Sequence, residues 1–268
     1  MANTHSIDLE AGSSHYLEAA DSASLDIIDD ISIEAWIKLE TLADGAVGGF
    51  MIVTKLNSGD SSYQLSLVEQ PNDANNYNRL NFEFRNGANA TTGQSNVNTF
   101  VPADAGTWFH VAVTADVSAS TMIFYVDGVA KTTTYLAQDA TDMANVAAPV
   151  RIGASHTPPQ QFFDGKVDDV RIWADIRTAS EIDDNKSTES PAGDNLKAHW
   201  KLNNDLLDSS GNLNTLTNPN SAPFVTDVPF VGASGPANLK SFNGLASVSI
   251  KSINGLAMAS VKSINSLE

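Results

Sequence analysis

The sequence predicts an all-β chain: an antiparallel β-sandwich followed by a short, repeat-bearing C-terminal β segment. Three observations predict it. Runs of alternating apolar and polar residues recur from residue 31 to residue 173, at the period of a strand rather than a helix. Between them lie clusters of Asn, Asp, Gly, Ser and Pro, the residues of turns. Hydrophobic residues make up 42% of the chain and charged ones 18%, enough apolar side chain for one large core without disulfides. The expected organisation is one sandwich over residues 1–229, a linker at 230–237 and an assembly segment at 238–268.

Composition also excludes several functions. With no cysteine, the chain has neither a disulfide framework nor a thiolate nucleophile or metal site. The net charge is −17; beyond residue 230, Lys240, Lys251 and Lys262 stand against Glu268, a charge of +2, leaving −19 for residues 1–230. Phosphate backbones would be repelled by such a body, so no nucleic-acid partner is expected. No stretch is long and apolar enough to span a bilayer, and MANTHSIDLEAGSS has neither a basic start nor an apolar run. Neither membrane insertion nor a cleaved signal is expected.

Taken in order, residues 5–17 read as a first strand and 21–30 as a polar loop. In ISIEAWIKL, Ile31, Ile33, Ala35, Ile37 and Leu39 then fall on one face. Further strands are expected at 50–55, 62–68 and 79–85; in the last, Leu80, Phe82 and Phe84 alternate with Asn81, Glu83 and Arg85. Residues 70–78 (QPNDANNYN) and 86–98 (NGANATTGQSNVN) read as polar loops. Residues 106–129, GTWFHVAVTADVSASTMIFYVDGV, read as two strands closing into a hairpin, both of whose faces are apolar or small, as the middle of a sandwich requires. Asp127-Gly128 is a tight-turn signal leading into 129–134, and residues 135–148 read as a long connection. VRIG at 150–153 is the next strand, followed by a loop at His156. FFDGKVDDVRIWADIRTASEI then gives a strand and a short helix, because Thr178 and Glu181 have the spacing of a capping box.

The wording of several of these segments resembles the laminin-G-like, or concanavalin A-like, jelly-roll domains. It is carried by S-x-Y-L-x-x-x-D-S-x-S-L-D-I with E-A-W-I-K following, by W-x-H-V-A-V-T and I-x-F-Y-V-D-G, and by the closing F-x-G-x-V-D-D-V-R-I-W. The stretch 196–218, LKAHWKLNNDLLDSSGNLNTLTN, resembles a further strand of the same family, pairing within the domain or with a neighbour. The resemblance covers roughly residues 5–220 and implies a jelly-roll sandwich; this superfold carries many unrelated activities.

From residue 231 the composition shifts and a repeat appears: LKSFNGLASVS, IKSINGLAMAS, VKSINSLE, with Lys240, Lys251 and Lys262 eleven apart. One unit cannot bury its apolar side chains alone. Ile250, Ile253, Leu256, Val261, Ile264 and Leu267 are therefore expected to stack on copies of the segment, on the body or on other chains. The repeats resemble those of bacteriophage virion proteins.

Candidate chemistry is sparse. Glycoside hydrolases of concanavalin-like folds need two close carboxylates, as in Glu-x-Asp-x-Glu on a strand. The nearest match, Glu181-Ile182-Asp183-Asp184, lacks the second Glu and reads as helix, and adjacent Asp168 and Asp169 on a strand would face opposite ways. The five histidines show no metal-ligand spacing; His110 reads as structural, and Trp36, Trp108, Trp173 and Trp200 read as core. The family resemblance implies a Ca²⁺ held at the sandwich edge by oxygen ligands, for which the sequence offers Asp208, Asn212 and Asn214 with Asp168 or Asp169. The competing reading of DSSGN is a plain turn. Asn89-Ala-Thr91 and Asn185-Lys-Ser187 match glycosylation acceptors by chance.

The expectation is a non-enzymatic structural and binding protein: a phage virion surface component displaying a lectin-like domain, joined to copies of itself or to other virion proteins through its repeats. A host-surface glycan is an expected partner. The alternative is a free carbohydrate-binding or adhesion module, extracellular or on a cell surface, for which loops 70–78, 86–98 and 154–161 would form the ligand edge, and a glycoside hydrolase comes third.

Overall fold

Alternation becomes architecture in the computed structural model, which describes residues 3–42, 49–57, 61–69, 78–96, 99–156 and 158–230, and four dipeptides between 241 and 257. Two antiparallel sheets result. The first runs β10 (Val129–Lys131), β9 (Thr121–Val126), β8 (Trp108–Asp116), β3 (Ile31–Leu39), β13 (Gly165–Trp173), β1 (Ser6–Leu9), β16 (Phe224–Val225), with β14 (Leu196–Trp200) also paired to β13. The second runs β11 (Thr133–Gln138), β7 (Asn89–Ser95), β6 (Asn78–Asn86), β5 (Ser61–Glu69), β4 (Phe50–Leu56), β12 (Val150–Ile152), β2 (Leu17–Ala19), β15 (Leu216–Thr217). This is a jelly-roll sandwich of the concanavalin A-like kind.

The core lies between the sheets. Ile31, Ile33, Ala35, Ile37 and Leu39 of β3 and Val111, Val113 and Ala115 of β8 join one cluster with Tyr63, Leu65 and Leu67 of β5 and Leu80, Phe82 and Phe84 of β6. Each large apolar side chain so buried stabilises the fold by roughly 1.5–3 kcal/mol relative to exposure. The β8–β9 hairpin sits inside its sheet with Val111 opposite Val126 and Asp116 opposite Thr121. Its second apolar face is explained by α1 (Ala179–Asn185), whose Ile182 packs on Ala112 and Tyr125. Thr178 caps that helix as expected: Glu181 N–H donates to Thr178 Oγ1 at 3.3 Å and Thr178 N–H to Glu181 Oε2 at 2.8 Å.

Three expectations change and one open alternative is resolved. Residues 5–17 are two strands, β1 and β2, one in each sheet, separated by a 3₁₀ turn at Ala11–Ser13. Residues 86–98 are not a loop, because Asn89–Ser95 forms β7, with Phe82 opposite Gly93. The connection after the hairpin is shorter than expected, since Thr133–Gln138 is β11. The segment 196–218 pairs within the domain, β14 on β13 and β15 on β2.

The C-terminal segment holds β17 (Ser241–Phe242) paired with β18 (Leu245–Ala246), and β19 (Ser252–Ile253) paired with β20 (Leu256–Ala257). The second pair repeats the first eleven residues on, in the same register. Ile253 and Leu256 are backbone partners in its register. Ile250, Val261, Ile264 and Leu267 lie outside the described residues, as do 231–237 of the expected linker. Phe230, at that linker's start, packs its ring 5.9 Å from that of Trp36.

Candidate functional site

On the second sheet the side chains turned away from the core form a polar row that crosses seven strands. Cross-strand register sets it out: Thr217 beside Glu18, then Arg151, Thr54, Gln64, Glu83 and Thr92. Glu83 is its hub. Arg85 donates from Nε to Oε1 at 2.6 Å and from Nη2 to Oε2 at 3.1 Å, Gln64 Nε2 donates to Oε1 at 3.3 Å, and Thr92 Oγ1 to Oε2 at 2.9 Å. At the far end, Arg151 Nε donates to Glu18 Oε2 at 2.7 Å and Nη1 to Ser155 O at 3.0 Å, tying the 153–161 connection to the row. A second row runs Ser66, Asn81, Gln94; Gln94 Nε2 donates to Asn81 Oδ1, and the buried Gln94 Oε1 has no hydrogen-bond partner among the described residues.

The row opens to solvent beside Glu83. A cavity of about 240 Å³ is lined by Leu56, Asn57, Ser61, Gln64, Glu83, Arg85 and Gly87. Its chemistry is hydroxyl, amide, carboxylate and guanidinium over a rigid sheet, the donors and acceptors that a polyhydroxylated ligand needs. As a hydrolytic site it is poorly equipped. The two carboxylates of the row, Glu18 and Glu83, stand four strand spacings apart, about 19 Å, against the roughly 5–9.5 Å that glycoside hydrolysis uses.

The outer face of the first sheet is built differently. Glu34, His110, Arg171, Asp169 and His199 are all buried there, beneath α1 and the chain that follows it. Arg171 donates to both oxygens of Asp169, to Asn185 O at 3.0 Å and to Thr188 O at 2.6 Å, so it pins that covering segment to the sheet. Trp173 Nε1 donates to Glu34 Oε1 at 2.7 Å, and the His110 and Glu34 side chains approach to 3.4 Å. Burial pushes the Glu34 carboxyl upward, but His110, the Arg171 charge and Trp173 outweigh it and hold it below the usual range. For Asp169, burial is likewise outweighed by Arg171 and His199, and its pKa falls. The closing F-x-G-x-V-D-D-V-R-I-W motif therefore reads as structural chemistry.

The expected metal residues are placed as follows. Asp208 Oδ1 accepts from His199 N–H and Ser210 N–H, and Oδ2 from Ser210 Oγ and Asn214 N–H, which is the pattern of a turn. Asn212 Nδ2 donates to Leu196 O and Lys197 O; Asn214 Nδ2 donates to Lys197 O while its Oδ1 accepts from Ser22 and Ser24. Asp168 and Asp169 do not face opposite ways. The ladder shifts register between Asp168 and Arg171, Asp169 takes a positive φ of 49°, and the bulge turns both carboxylates outward. His199 links the two places, its N–H on Asp208 and its Nε2 at 2.6 Å from Asp169. Another acidic group, Asp8, Glu10 and Glu40, brings its oxygens within 4.8 Å of one another, with Lys166 Nζ at 2.6 Å from Glu40.

Other candidates resolve simply. All four indole N–H groups donate within the chain: Trp36 to Lys186 O, Trp108 to Asp227, Trp173 to Glu34 and Trp200 to Asn214 O. Asn185 is buried, donating to Glu181 O and accepting from Ala192 N–H, so its acceptor motif is closed. Residues 70–77, 97–98 and 157 of the expected ligand loops lie outside the described residues. Gln64, Glu83 and Arg85 were not expected as site residues; their signal was the polar half of the alternation in β5 and β6.

A family model, Laminin_G_3, described as the concanavalin A-like lectin/glucanases superfamily, matches residues 11–183. No curated protein sequence matches the chain. Among solved structures, a Bacteroides ovatus protein proposed to bind carbohydrate superposes with a TM-score of 0.62 at 19% identity, covering 86% of this chain and 62% of its own. The chain thus spans less than two thirds of that protein. A heptameric SAP-like pentraxin from Limulus polyphemus gives 0.59 at 11% identity over 85% of this chain and 97% of its own. The extracellular region of zebrafish Gpr126/Adgrg6 gives 0.53 at 14% identity over 88% of this chain and 28% of its own. At these identities the likeness is one of fold.

Proposed function

The chain belongs to the concanavalin A-like lectin/glucanases superfamily, and we propose that it binds a glycan without cleaving it, on the outer face of its second sheet. The observation that carries this reading is the hydrogen-bonded row ending at the cavity of Gln64, Glu83 and Arg85. Glu83 and Arg85 would hold neighbouring sugar hydroxyls, the carboxylate accepting and the guanidinium donating. The likeness to a protein proposed to bind carbohydrate supports the same class of ligand. A glycan array with the full-length chain tests it. Glu83→Gln and Arg85→Ala should each weaken the strongest hit about tenfold, the scale of one hydrogen bond to a charged group. Undiminished binding by both variants would move the ligand site off this face.

We further propose that the protein is a virion surface component, with the repeats joining it to its own copies or to other virion proteins. Two-residue strand pairs such as β17–β18 and β19–β20 are too small to be stable alone in water, so they call for partners. Their backbone edges invite strand addition, and the tail's charge of +2 faces a body of −19. Light scattering on the full-length chain should therefore give an assembly that survives high salt, where charge attraction alone would be screened. A micromolar monomer at low and high salt would sink self-association and leave attachment to a different virion protein.

A further inference from the structure

The terminal strands of the two sheets differ in how much backbone they leave open. β10 has three residues and β15 and β16 two each. β14, with five, has its free side closed by the turn that follows it, through Ser209 N–H to His199 O at 2.8 Å and Asn212 Nδ2 to Lys197 O at 3.0 Å. β11 has six residues and no such cover. It pairs only with β7, and among the described residues no other backbone bonds to it, so on its far side alternate N–H and C=O groups have no partner there. Edges of this kind are ordinarily blunted with lysine or proline. TTYLAQ has neither, and no charge of either sign.

The edge is also held in place. Thr133 Oγ1 donates to Met122 O at 3.0 Å, Tyr135 Oη accepts from Met122 N–H at 2.8 Å, and Gln138 Nε2 donates to Ser120 O at 3.0 Å, which fastens β11 to β9 of the other sheet. A bulge between Tyr135 and Ala137 interrupts the ladder, and Leu136 there is 64% exposed. The run left free to pair is therefore short, Thr133–Tyr135. Asp139 and Asp142 stand exposed just beyond the strand.

We propose that this edge receives the C-terminal repeats of a second copy, one of their two-residue strands adding beside Thr133–Tyr135 as a further strand of the second sheet. The inference rests on the reading of the repeats as an assembly segment and names the surface that they engage. Length is the first argument: β17–β18 and β19–β20 pair with no other strand among the described residues, and a strand of two residues fits a run that the bulge holds to three. Charge is the second, since each unit brings one lysine, Lys240, Lys251 or Lys262, to an edge that ends in two aspartates. The third is where the tail begins. Phe230 packs on Trp36 of the first sheet, whereas β11 closes the second, and residues 231–268 can extend up to about 125 Å, far enough to reach a neighbouring copy.

Thr134→Lys combined with Leu136→Lys places two charges on the edge at exposed positions. By light scattering at micromolar concentration the full-length parent should be an assembly and the double variant a single chain, while Leu207→Lys, at an apolar residue 59% exposed elsewhere, should assemble like the parent. A second measurement needs no variant. Full-length copies labelled with light and heavy nitrogen are mixed when dilute, concentrated, and cross-linked through their amines; Lys131, two residues before β11, should link to Lys240, Lys251 or Lys262 in peptide pairs of mixed label. The proposal is overturned if the double variant assembles like the parent, if Leu207→Lys is equally monomeric, or if Lys131 does not link to the tail. Links within one label only, the mark of a chain's own tail, overturn it too, as do links from Lys131 to Lys131, the mark of two β11 edges paired. A parent that is itself a single chain overturns the assembly reading as well, whereas a parent that assembles with an indifferent edge overturns this surface alone.

Discussion

On the first sheet the outward side chains Glu34, His110 and Arg171 lie sealed under α1 and the connection after it, whereas on the second sheet Gln64, Glu83 and Arg85 line a cavity open to solvent. Both faces arise from the same alternation of strand residues, and both carry carboxylates held by arginine. What differs is the covering. Arg171 spends its guanidinium on Asp169 and on two backbone carbonyls of the segment above it, so its ion pair fastens one layer to another. Arg85 donates to both oxygens of Glu83, two residues away on its own strand. A buried charge cluster is therefore a poor guide to function here, and the pair at the open cavity is the better one.

The largest effect that could break this contrast is on stability. Arg171→Leu strips the counter-charge from buried Asp169 and Glu34 and frees the carbonyls of Asn185 and Thr188, a loss of about 3–5 kcal/mol. Gln64→Ala, at the half-buried row of the second sheet, removes one 3.3 Å bond to a partner held by others and should cost within about 1 kcal/mol. Urea unfolding of both variants makes the measurement. Equal losses would mean that the polar row is as structural as the sealed network, and would weaken its claim to bind ligand.

Much of this contrast was legible in the residues, and the illegible part has physical causes. The hairpin, the capping box and the apolar halves of β3, β5 and β6 follow from periodicity that burial obeys. Strand β7 reads as loop because NATTGQS has no apolar face: Thr92 and Gln94 belong to the two polar rows, and Gly93 must stay small, since a Cβ there would come within 2.5 Å of Met122 Sδ. A strand filled by small residues on one side and hydrogen-bonded on the other has the composition of a turn. The bulge at Asp169 was equally hidden, because positive φ at a non-glycine residue is imposed by tertiary bonds, here to Arg171 and His199. Asn3 and Asp168 meet across 165 residues, and no local spacing announces such a contact.

A smaller effect sharpens the comparison through pH. Glu34 is held below its ordinary pKa of 4.5, the pull of His110 and Arg171 exceeding the push of burial. A carboxyl whose folded pKa is depressed adds stability above its unfolded value and loses it as the pH falls through the folded one. The contribution is therefore complete at neutral pH and disappears in the acid range below about 4.5. Glu34→Gln keeps an oxygen for the Trp173 N–H but carries no charge, so it should be less stable than the parent chain at pH 7. That gap should close steadily as the pH falls below 4.5, with melting followed at each pH. A gap for Glu34→Gln that stays constant down to pH 3 would mean that the carboxylate's charge does not support the sealed face, and that shape and hydrogen bonds alone hold α1 on the sheet.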